Sequence, residues 1–374
     1  MTTYTKYERG SVWRKWDLHF HAPTKYTCAK NDLYEGSDLT DKQSKFIAEL
    51  KEIKDISVIG ITDYFSLDGY KLVQSHQSDL VQFDLILPNI ELRITPVTGE
   101  NRKINLHIIP NTTELSIEDI ERFLYKFEFG PEKFTCKEDD LIRLGKKFNK
   151  DYSQEEAFKK GLNEFSISYD KFFEEYNSLP IRVKENILIG VSNNSNDGAS
   201  GIKDIQGIRD IIYSGVHFIF SSQSSDRKYF LGQNADNVEL IKEKYGNLLP
   251  CLHGSDFHGS KTGKVLCVPD ENRFCWIKSD PTFEGLRQVL FEPEDRVKIQ
   301  PTIPEDKAGY QIIERIEISN ELIYNQSLLL NANLNSIIGG RSSGKSILLG
   351  AIAKKLKTSR PIKLEDNNYD AFVQ

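Results

Sequence analysis

The chain from residue 12 to about residue 110 alternates short apolar runs with an amphipathic helical pattern. The apolar runs lie at residues 56–61, 83–87 and 104–109, and residues 41–53 carry apolar positions at helical spacing. Such runs predict buried strands, and their alternation with helices predicts βα units. The pattern therefore favours an α/β fold at the start of the chain.

Charged, amphipathic stretches replace this alternation at residues 115–179. Ser116 and Ser153 are each followed three positions later by an acidic residue, which is typical of a helix start. We expect a helical insertion here, serving as a lid or as a partner surface. Strand-like runs resume at residues 187–191, 216–220 and 248–252, with a helix predicted at 202–213, so the β/α core continues beyond the insertion.

The last part of the chain has a different texture. Residues 301–310 hold two prolines among charged residues, the composition of a linker. Residues 312–318, 327–330 and 335–338 are predicted strands that lead into a glycine-rich loop. The expected organisation is a domain at residues 1–300, a linker at 301–310 and a second domain beginning at 311 and running to 374.

Composition limits the class of protein. The 374 residues suffice for two or three domains, and 39% hydrophobic with 28% charged residues is ordinary for a soluble protein. We expect no membrane span, since no apolar run approaches about 20 residues. The 5 scattered cysteines and the absence of a secretory signal favour a reducing cytoplasm. A net charge of −6 does not itself indicate nucleic-acid binding, although a local basic groove can coexist with it.

The first candidate chemistry lies on the predicted strand that ends at residue 21. Asp17, His19 and His21 occupy alternate positions, and side chains at alternate positions share one face of a strand. They can therefore converge on one metal ion. Taken alone, the pattern also fits two histidines without a ligand role.

Further ligand-type side chains follow the apolar runs or lie within them: Asp63, Glu91, His107, Asp256 and His258. In β/α barrels, residues at the carboxyl ends of several strands gather into one active site. Imidazoles and carboxylates without thiolate suit zinc, manganese or iron. Paired ions of this kind activate water towards phosphoesters, so the pattern predicts phosphoester hydrolysis.

These motifs occur in the order of a known family. The stretches at residues 17–21, 61–63, 88–91 and 254–258, together with His107, resemble those of the PHP (polymerase and histidinol phosphatase) family over roughly residues 12–300. The resemblance implies a distorted β/α barrel that binds up to three metal ions. It also implies cleavage of phosphomonoesters or of nucleic-acid phosphodiesters.

The resemblance further implies a set of roles. Mn²⁺ or Zn²⁺, with Fe²⁺ as an alternative, would be held as two ions: the first by His19, His21, Glu91 and Asp256, the second by Glu91 and His107. Asp63 and His258 would serve a third ion or handle protons, and the expected catalytic residues are Asp63, Asp256 and His258. Asp17 would orient a histidine.

Two departures from the family pattern bear on these roles. Tyr64 stands where the family often has histidine, which argues against a third ion. The run at residues 190–194 offers only asparagine and serine where a further histidine is expected, and His217 or His253 could substitute. A degenerate barrel acting as a sensor or scaffold therefore stays an alternative.

Residues 339–346 match the P-loop pattern G-x-x-x-x-G-K-S, between a predicted strand and a predicted helix at residues 347–356. Gly339 and Gly344 would let backbone amides cradle the phosphates of ATP, Lys345 would reach the β and γ groups, and Ser346 would ligate Mg²⁺. Residues 347–374 contain no acidic strand end and no ABC signature. We therefore expect a truncated ATPase domain that does not hydrolyse ATP by itself.

The stretches at residues 280–288 and 292–297 resemble the junction in fusions of a PHP domain with an SMC/ABC-type ATPase, the TrlF-like proteins. That resemblance implies a nuclease acting on DNA more than RNA, in phage defence or DNA repair, and homo-oligomerisation through the ATPase part. A small-molecule phosphatase resembling histidinol-phosphate phosphatase is the alternative. Locally, Asp280 is predicted to cap a helix.

Overall fold

The computed structural model describes residues 9–202, 207–304, 309–320 and 323–356. Gly10–Glu305 forms one compact unit, and the described residues from Gly309 onward belong to a second. The division falls within the predicted linker at 301–310, of which residues 305–308 lie outside the described part. Residues 357–374 of the predicted ATPase fragment also lie outside it.

The first unit is built on one mixed sheet. Its strands are β1 (Trp13–His21), β2 (Val58–Tyr64), β3 (Leu85–Val97), β4 (Lys103–Pro110), β5 (Ile167–Ser168), β6 (Ile187–Ser192), β7 (Phe218–Phe220), β8 (Cys251–Leu252), β9 (Phe274–Lys278) and β10 (Val297–Gln300). Their order is β10-β9-β1-β2-β3-β4-β6-β7-β8, with β5 beside β3. The edge strands β8 and β10 approach each other, so the sheet nearly closes into a barrel.

Strand direction departs from a regular β/α barrel. The series β1-β2-β3 and β6-β7-β8 are parallel, whereas β4 runs antiparallel to both of its neighbours. Strands β9 and β10 are also antiparallel to the strands beside them. The predicted α/β class and barrel-like sheet are therefore confirmed, and two reversals of direction account for the distortion.

Helices cover the sheet and form the insertion. They are α1 (Lys25–Lys30), α2 (Leu39–Glu52), α3 (Asp68–Ser75), α4 (Ile117–Leu124), α5 (Glu138–Phe148), α6 (Gln154–Glu164), α7 (Tyr169–Asn177), α8 (Ile181–Lys184), α9 (Ile208–Ser214), α10 (Ser224–Phe230), α11 (Val238–Tyr245), α12 (Phe283–Gln288) and α13 (Pro293–Arg296). Short 3₁₀ turns lie at Gln77–Asp79, Ala199–Gly201, Ser260–Thr262 and Asp270–Asn272. Within the described residues, every helix is too short or too polar to cross a lipid bilayer.

The observed helix caps can be compared with the caps predicted from the sequence. Ser116 caps α4, and Ser153 forms a complete capping box with Glu156 at the start of α6, as predicted. The predicted cap of α12 is wrong, because the side chain of Thr282, not Asp280, accepts the hydrogen bond from the Gly285 amide at 2.9 Å. A threonine immediately before the first turn reaches that amide, whereas Asp280 lies too early in the chain.

The helical insertion is part of the main core. Phe123, Phe158 and Phe172 of the insertion are buried in the same apolar cluster as Phe20 of β1 and Leu92 of β3. Buried aromatic side chains supply much of the apolar area that stabilises a fold. The insertion is therefore fixed to the barrel by a continuous core.

The closest helix contact gives a stability prediction. A Cβ added at Gly145 of α5 would lie 1.8 Å from the Ala157 carbonyl oxygen of α6, so the two helix backbones must separate. We expect Gly145→Ala to lower the free energy of unfolding by about 1–3 kcal/mol, the usual cost of overpacking. Urea denaturation measures it, with the exposed Lys159→Ala in α6 as a control that should change little. Equal stability of the two variants would contradict the tight contact.

The second unit contains an antiparallel hairpin, β11 (Arg315–Asn320) and β12 (Ile323–Leu329), a 3₁₀ turn at Gly309–Gln311, and helix α14 (Lys345–Lys355). The predicted strand at 335–338 is wrong, since this stretch is assigned no strand and pairs with no described strand. An apolar run becomes a strand only where a neighbour takes its backbone hydrogen bonds. Ile338 is accordingly 92% exposed.

Candidate metal centre

Strand β1 presents two histidines from one face into the site. His21 is fully buried and the side chain of His19 is 12% exposed. Asp17, on the same strand, accepts hydrogen bonds from the backbone amides of His19 at 3.2 Å and Ser255 at 3.0 Å. Asp17 therefore holds the backbone of β1 beside the two histidines, whereas the resemblance implied that it would orient an imidazole.

Glu91 and His107 reach the site through strand register. They are direct partners in the antiparallel pair of β3 and β4, so their side chains lie side by side. Glu91 lies within β3, not after its end as expected, because the strand continues to Val97. His107 lies within β4, inside the apolar run as predicted.

The centre of the site is a carboxylate facing two imidazoles. The Nε2 atoms of His19 and His21 each lie 3.4 Å from the same oxygen, Oε2 of Glu91. Neither Nε2 atom makes a hydrogen bond, although both are buried. Buried polar atoms without a partner are costly and rare. Nitrogen lone pairs and an anionic oxygen aimed at one point are what a divalent metal ion requires, so the residues fit such an ion.

Asp256 is brought to this point by the loop after β8. The Asp256 amide donates to the His19 carbonyl at 2.8 Å, and the His21 amide donates to the Phe257 carbonyl at 2.8 Å, so the loop is bonded along β1. Oδ1 of Asp256 lies 3.6 Å from Nε2 of His19. It also lies 3.1 Å from Nε2 of His258, whose ring stacks on His21 with centroids 4.1 Å apart.

Two groups of potential metal ligands result among the described residues. One is His19, His21 and Asp256, and the other is His19, Glu91 and His107; within each group the ligand atoms lie within 4.8 Å of one another. The structure thus brings together five of the residues predicted as ligands. Both groups share His19, so they form one continuous centre. Asp63 and His258 belong to neither group.

Asp63 is held by the protein itself. Its Oδ1 accepts hydrogen bonds from the Thr24 hydroxyl at 2.8 Å, the Thr27 hydroxyl at 3.1 Å and the Tyr64 amide at 2.9 Å. Its Oδ2 accepts from the Gly69 amide at 3.3 Å. Burial raises the pKa of Asp63 to about 7 despite these donors. The geometry ties Asp63 to α1 and α3, and its predicted roles as ligand and catalyst stay predictions.

His107 is oriented by an amide. Its Nδ1 lies 3.1 Å from Oδ1 of Asn89, while the Asn89 amide nitrogen donates to the Leu18 carbonyl at 2.8 Å. Because that nitrogen is engaged, Oδ1 must face the ring and Nδ1 must carry the proton. Nε2 of His107 is then the free ligand atom, 3.3 Å from the Ser192 hydroxyl.

Arg93 neutralises the carboxylate at the centre. Nη2 of Arg93 lies 2.9 Å from Oε1 of Glu91, and its Nη1 contacts Asn105 and, at 3.3 Å, Asp197. Burial works to raise the pKa of Glu91, but the charge of Arg93 and the contacts with His19 and His21 hold it well below its usual value. Glu91 is therefore an anion. Because Arg93 occupies Oε1, the oxygen that faces the histidines is Oε2.

The imidazoles have unequal proton affinities. Burial and the neighbouring His258 lower the pKa of His21 to about 3, and burial together with His19 lowers the pKa of His107. Burial also works against protonation of His19, but the contact with Glu91 and the charge of Asp256 raise its pKa. At neutral pH, His21 and His107 are neutral, which is the form that binds metal.

Three residues of the site were not predicted to be functional from the sequence: Asn89, Arg93 and Tyr64. Asn89, Glu91 and Arg93 alternate along β3, so the period of a strand could have shown that they share a face. The ring of Tyr64 stacks on His21 with centroids 4.7 Å apart. Neither His217 nor His253 lies in a ligand group among the described residues, and Nδ1 of His217 accepts from the Ile189 amide, so their role as substitute ligands stays a prediction.

The predicted P-loop lies in the second unit. Gly344 has φ +85° and precedes α14, and a Cβ at Gly339 would lie 2.5 Å from the Ser343 hydroxyl. Nζ of Lys345 donates to the carbonyl oxygens of Gly339 at 2.8 Å and Gly340 at 2.6 Å. The loop therefore folds over its own lysine. The roles of Gly339, Gly344, Lys345 and Ser346 toward ATP and Mg²⁺ stay predictions.

Comparison with known proteins gives distant structural similarity alone. The sequence matches no family model and no curated protein sequence. Among solved structures, a protein from Bifidobacterium adolescentis thought to be a metal-dependent phosphoesterase is 11% identical, with 75% of this chain and 97% of that one covered and a TM-score of 0.35. An amidohydrolase from Chromobacterium violaceum, with bound sulfate and no metal, is 12% identical, with 77% and 98% covered and a TM-score of 0.35. At this level neither similarity bears on the function of the chain.

Proposed function

We propose that the first unit is a metal-dependent phosphoesterase that cleaves nucleic-acid phosphodiesters. The observation that carries the proposal is the pair of buried, unbonded Nε2 atoms of His19 and His21 facing one oxygen of Glu91. Asp256 and His107 supplement this set with a further oxygen and nitrogen. A mixed nitrogen and oxygen set suits Mn²⁺, Zn²⁺ or Fe²⁺.

Ions held there would polarise a phosphoryl oxygen and lower the pKa of bound water. The protein's own residues supply the remaining conditions. Asn89 fixes the tautomer of His107, and Asp17 fixes the backbone of β1 against the loop that carries Asp256. Asp256 lies at the partly exposed side of the centre, with His258 beside it as the nearest group able to move a proton.

We further propose that the second unit binds a nucleotide. The support is the left-handed Gly344, the close approach at Gly339 and the helix that follows, which are backbone features that a phosphate-binding loop needs. We propose that this unit belongs to an SMC/ABC-like ATPase, and that the ATPase acts together with the nuclease in phage defence or DNA repair. Nucleotide titration of the wild-type protein and Lys345→Ala tests this part separately.

Activity assays test the phosphoesterase. Purified protein supplied with Mn²⁺ or Zn²⁺ should cleave single- or double-stranded DNA or RNA. Asp256→Ala should lower the rate by about 100-fold or more, because changing a residue that only hydrogen-bonds a ligand already lowers activity by about 10–100-fold. Asp139→Ala, an exposed aspartate of the insertion, is the matched control and should retain the rate.

The remaining outcomes separate the alternatives. Hydrolysis of p-nitrophenyl phosphate with intact nucleic acids would replace the nuclease by a small-molecule phosphomonoesterase. A protein that holds less than about one ion per chain and hydrolyses neither substrate would be a sensor or scaffold.

A further inference from the structure

Three basic side chains beyond the predicted ligands lie close enough for their charges to interact: Lys30 at the end of α1, Arg93 on β3 and Lys103 at the start of β4. Two of them are engaged by the fold. Arg93 is paired with Glu91 and Asp197. Nζ of Lys103 donates to the carbonyl oxygens of Asn163 at 2.8 Å and Glu164 at 2.6 Å. Lys30 differs from both, since no hydrogen bond or ion pair joins it to another described residue.

Lys30 lies next to the centre. Its Nζ sits over the ring of Tyr64, 5.0 Å from the centroid, and the same ring stacks on His21 with centroids 4.7 Å apart. Arg93 also lies over Tyr64, with Cζ 5.4 Å from the centroid. Tyr64 therefore holds Lys30 one aromatic ring away from a metal ligand.

This position is costly for a free ammonium group. Lys30 is half-buried, and a charge that loses part of its hydration is normally compensated by a partner. A cation–π contact compensates only part of the lost hydration. Burial, together with the charge of Arg93, lowers the pKa of Lys30 to about 7. An anion placed beside Nζ would supply the missing partner and favour the charged form.

We propose that Lys30 binds a non-bridging phosphoryl oxygen of the substrate, and that Tyr64 positions it for this contact. The inference rests on the proposed function, because it names the contact that a phosphoester would make at this site. A lysine ammonium is a compact charge suited to a phosphate oxygen. Lys30 would thus recognise the phosphoryl group and take no part in holding metal.

The test uses the full chain, loaded with Mn²⁺, and two measurements on the wild type, Lys30→Gln and Lys30→Arg. Titration calorimetry with inorganic phosphate should show about 10- to 100-fold weaker binding for Lys30→Gln, the range for losing a hydrogen bond to a charged group. Lys30→Arg should recover part of that loss. In hydrolysis assays KM should rise by a similar factor while bound metal per chain stays unchanged.

The control is Lys25→Gln on the same helix, an exposed lysine paired with Glu138, which should leave phosphate affinity and KM unchanged. Removing an unpaired, desolvated charge should leave the thermal midpoint of Lys30→Gln at or above that of the wild type. A lower midpoint with unchanged phosphate affinity would overturn the proposal in favour of a structural lysine.

The two proposals can fail separately. If the wild type hydrolyses no ester but Lys30→Gln weakens phosphate binding, the Lys30 contact is supported and the proposed phosphoesterase activity is wrong. If Asp256→Ala abolishes hydrolysis while Lys30→Gln keeps KM and phosphate affinity within twofold of the wild type, the phosphoesterase stands and the Lys30 contact is wrong.

Discussion

Replacing Glu91 by glutamine is expected to empty the metal centre. Oε2 of Glu91 is the atom toward which the unbonded nitrogens of His19 and His21 converge, each at 3.4 Å. Glutamine keeps the shape but removes the negative charge on which a divalent ion depends. Changing a residue that only hydrogen-bonds a metal ligand already lowers metal affinity by about 10–100-fold. Because Glu91 would be a ligand itself, we expect metal affinity to fall by more than about 100-fold. Elemental analysis after dialysis, and the hydrolysis rate, measure it.

Glu155→Gln, an exposed glutamate in the first turn of α6, is the matched control and should bind metal like the wild type. Circular dichroism shows whether Glu91→Gln remains folded, and His19→Gln provides the same test if it does not. A folded Glu91→Gln protein with wild-type metal content would show that the convergence of nitrogens on this oxygen has no ligand role.

The sequence pattern predicts the site's members better than their placement. His19 and His21 converge on Glu91, as the two-residue side-chain period of a strand predicts. The pairing of β1 with β2 shifts register between Asp17 and Phe20, so that period does not extend from Asp17 to the two histidines. The same pattern cannot tell a parallel strand from an antiparallel one. It therefore does not show that β4 is antiparallel to β3 and sets His107 opposite Glu91.

Long-range partners lie beyond what local patterns contain. Arg93 pairs with Glu91 two residues away but also with Asp197, 104 positions along the chain. Nothing in the sequence around either residue marks that contact, because the barrel alone brings them together. The same holds for Lys30 of α1, whose neighbour Tyr64 ends strand β2. For this reason the sequence pattern points to the potential ligands but not to the charged side chains that pair with them.

Replacing Arg93 by methionine should strongly destabilise the protein when metal is removed. Glu91 is buried, the side chain of Arg93 is 12% exposed, and their ion pair is 2.9 Å long. Methionine fills similar space but leaves a buried carboxylate without its partner, which typically costs about 3–5 kcal/mol. We expect a loss of this size in urea denaturation at pH 7.5 with EDTA. Asp197→Asn, which changes the partly exposed partner of Arg93, is the control and should cost far less.

The pH dependence of the free energy of unfolding shows whether the unpaired charge of Glu91 causes the loss of stability. In the wild type the pKa of Glu91 is held well below its usual value, so its stabilising effect is present above the unfolded pKa and is lost as pH falls through the folded one. In Arg93→Met, burial without the arginine raises that pKa, and protonation then relieves the unpaired charge. The loss in free energy of unfolding caused by Arg93→Met should therefore become smaller between pH 7.5 and pH 5.

Added Mn²⁺ should also stabilise the variant more than the wild type, because the ion replaces the lost positive charge. A deficit that is constant with pH and unaffected by Mn²⁺ would assign the loss to packing alone.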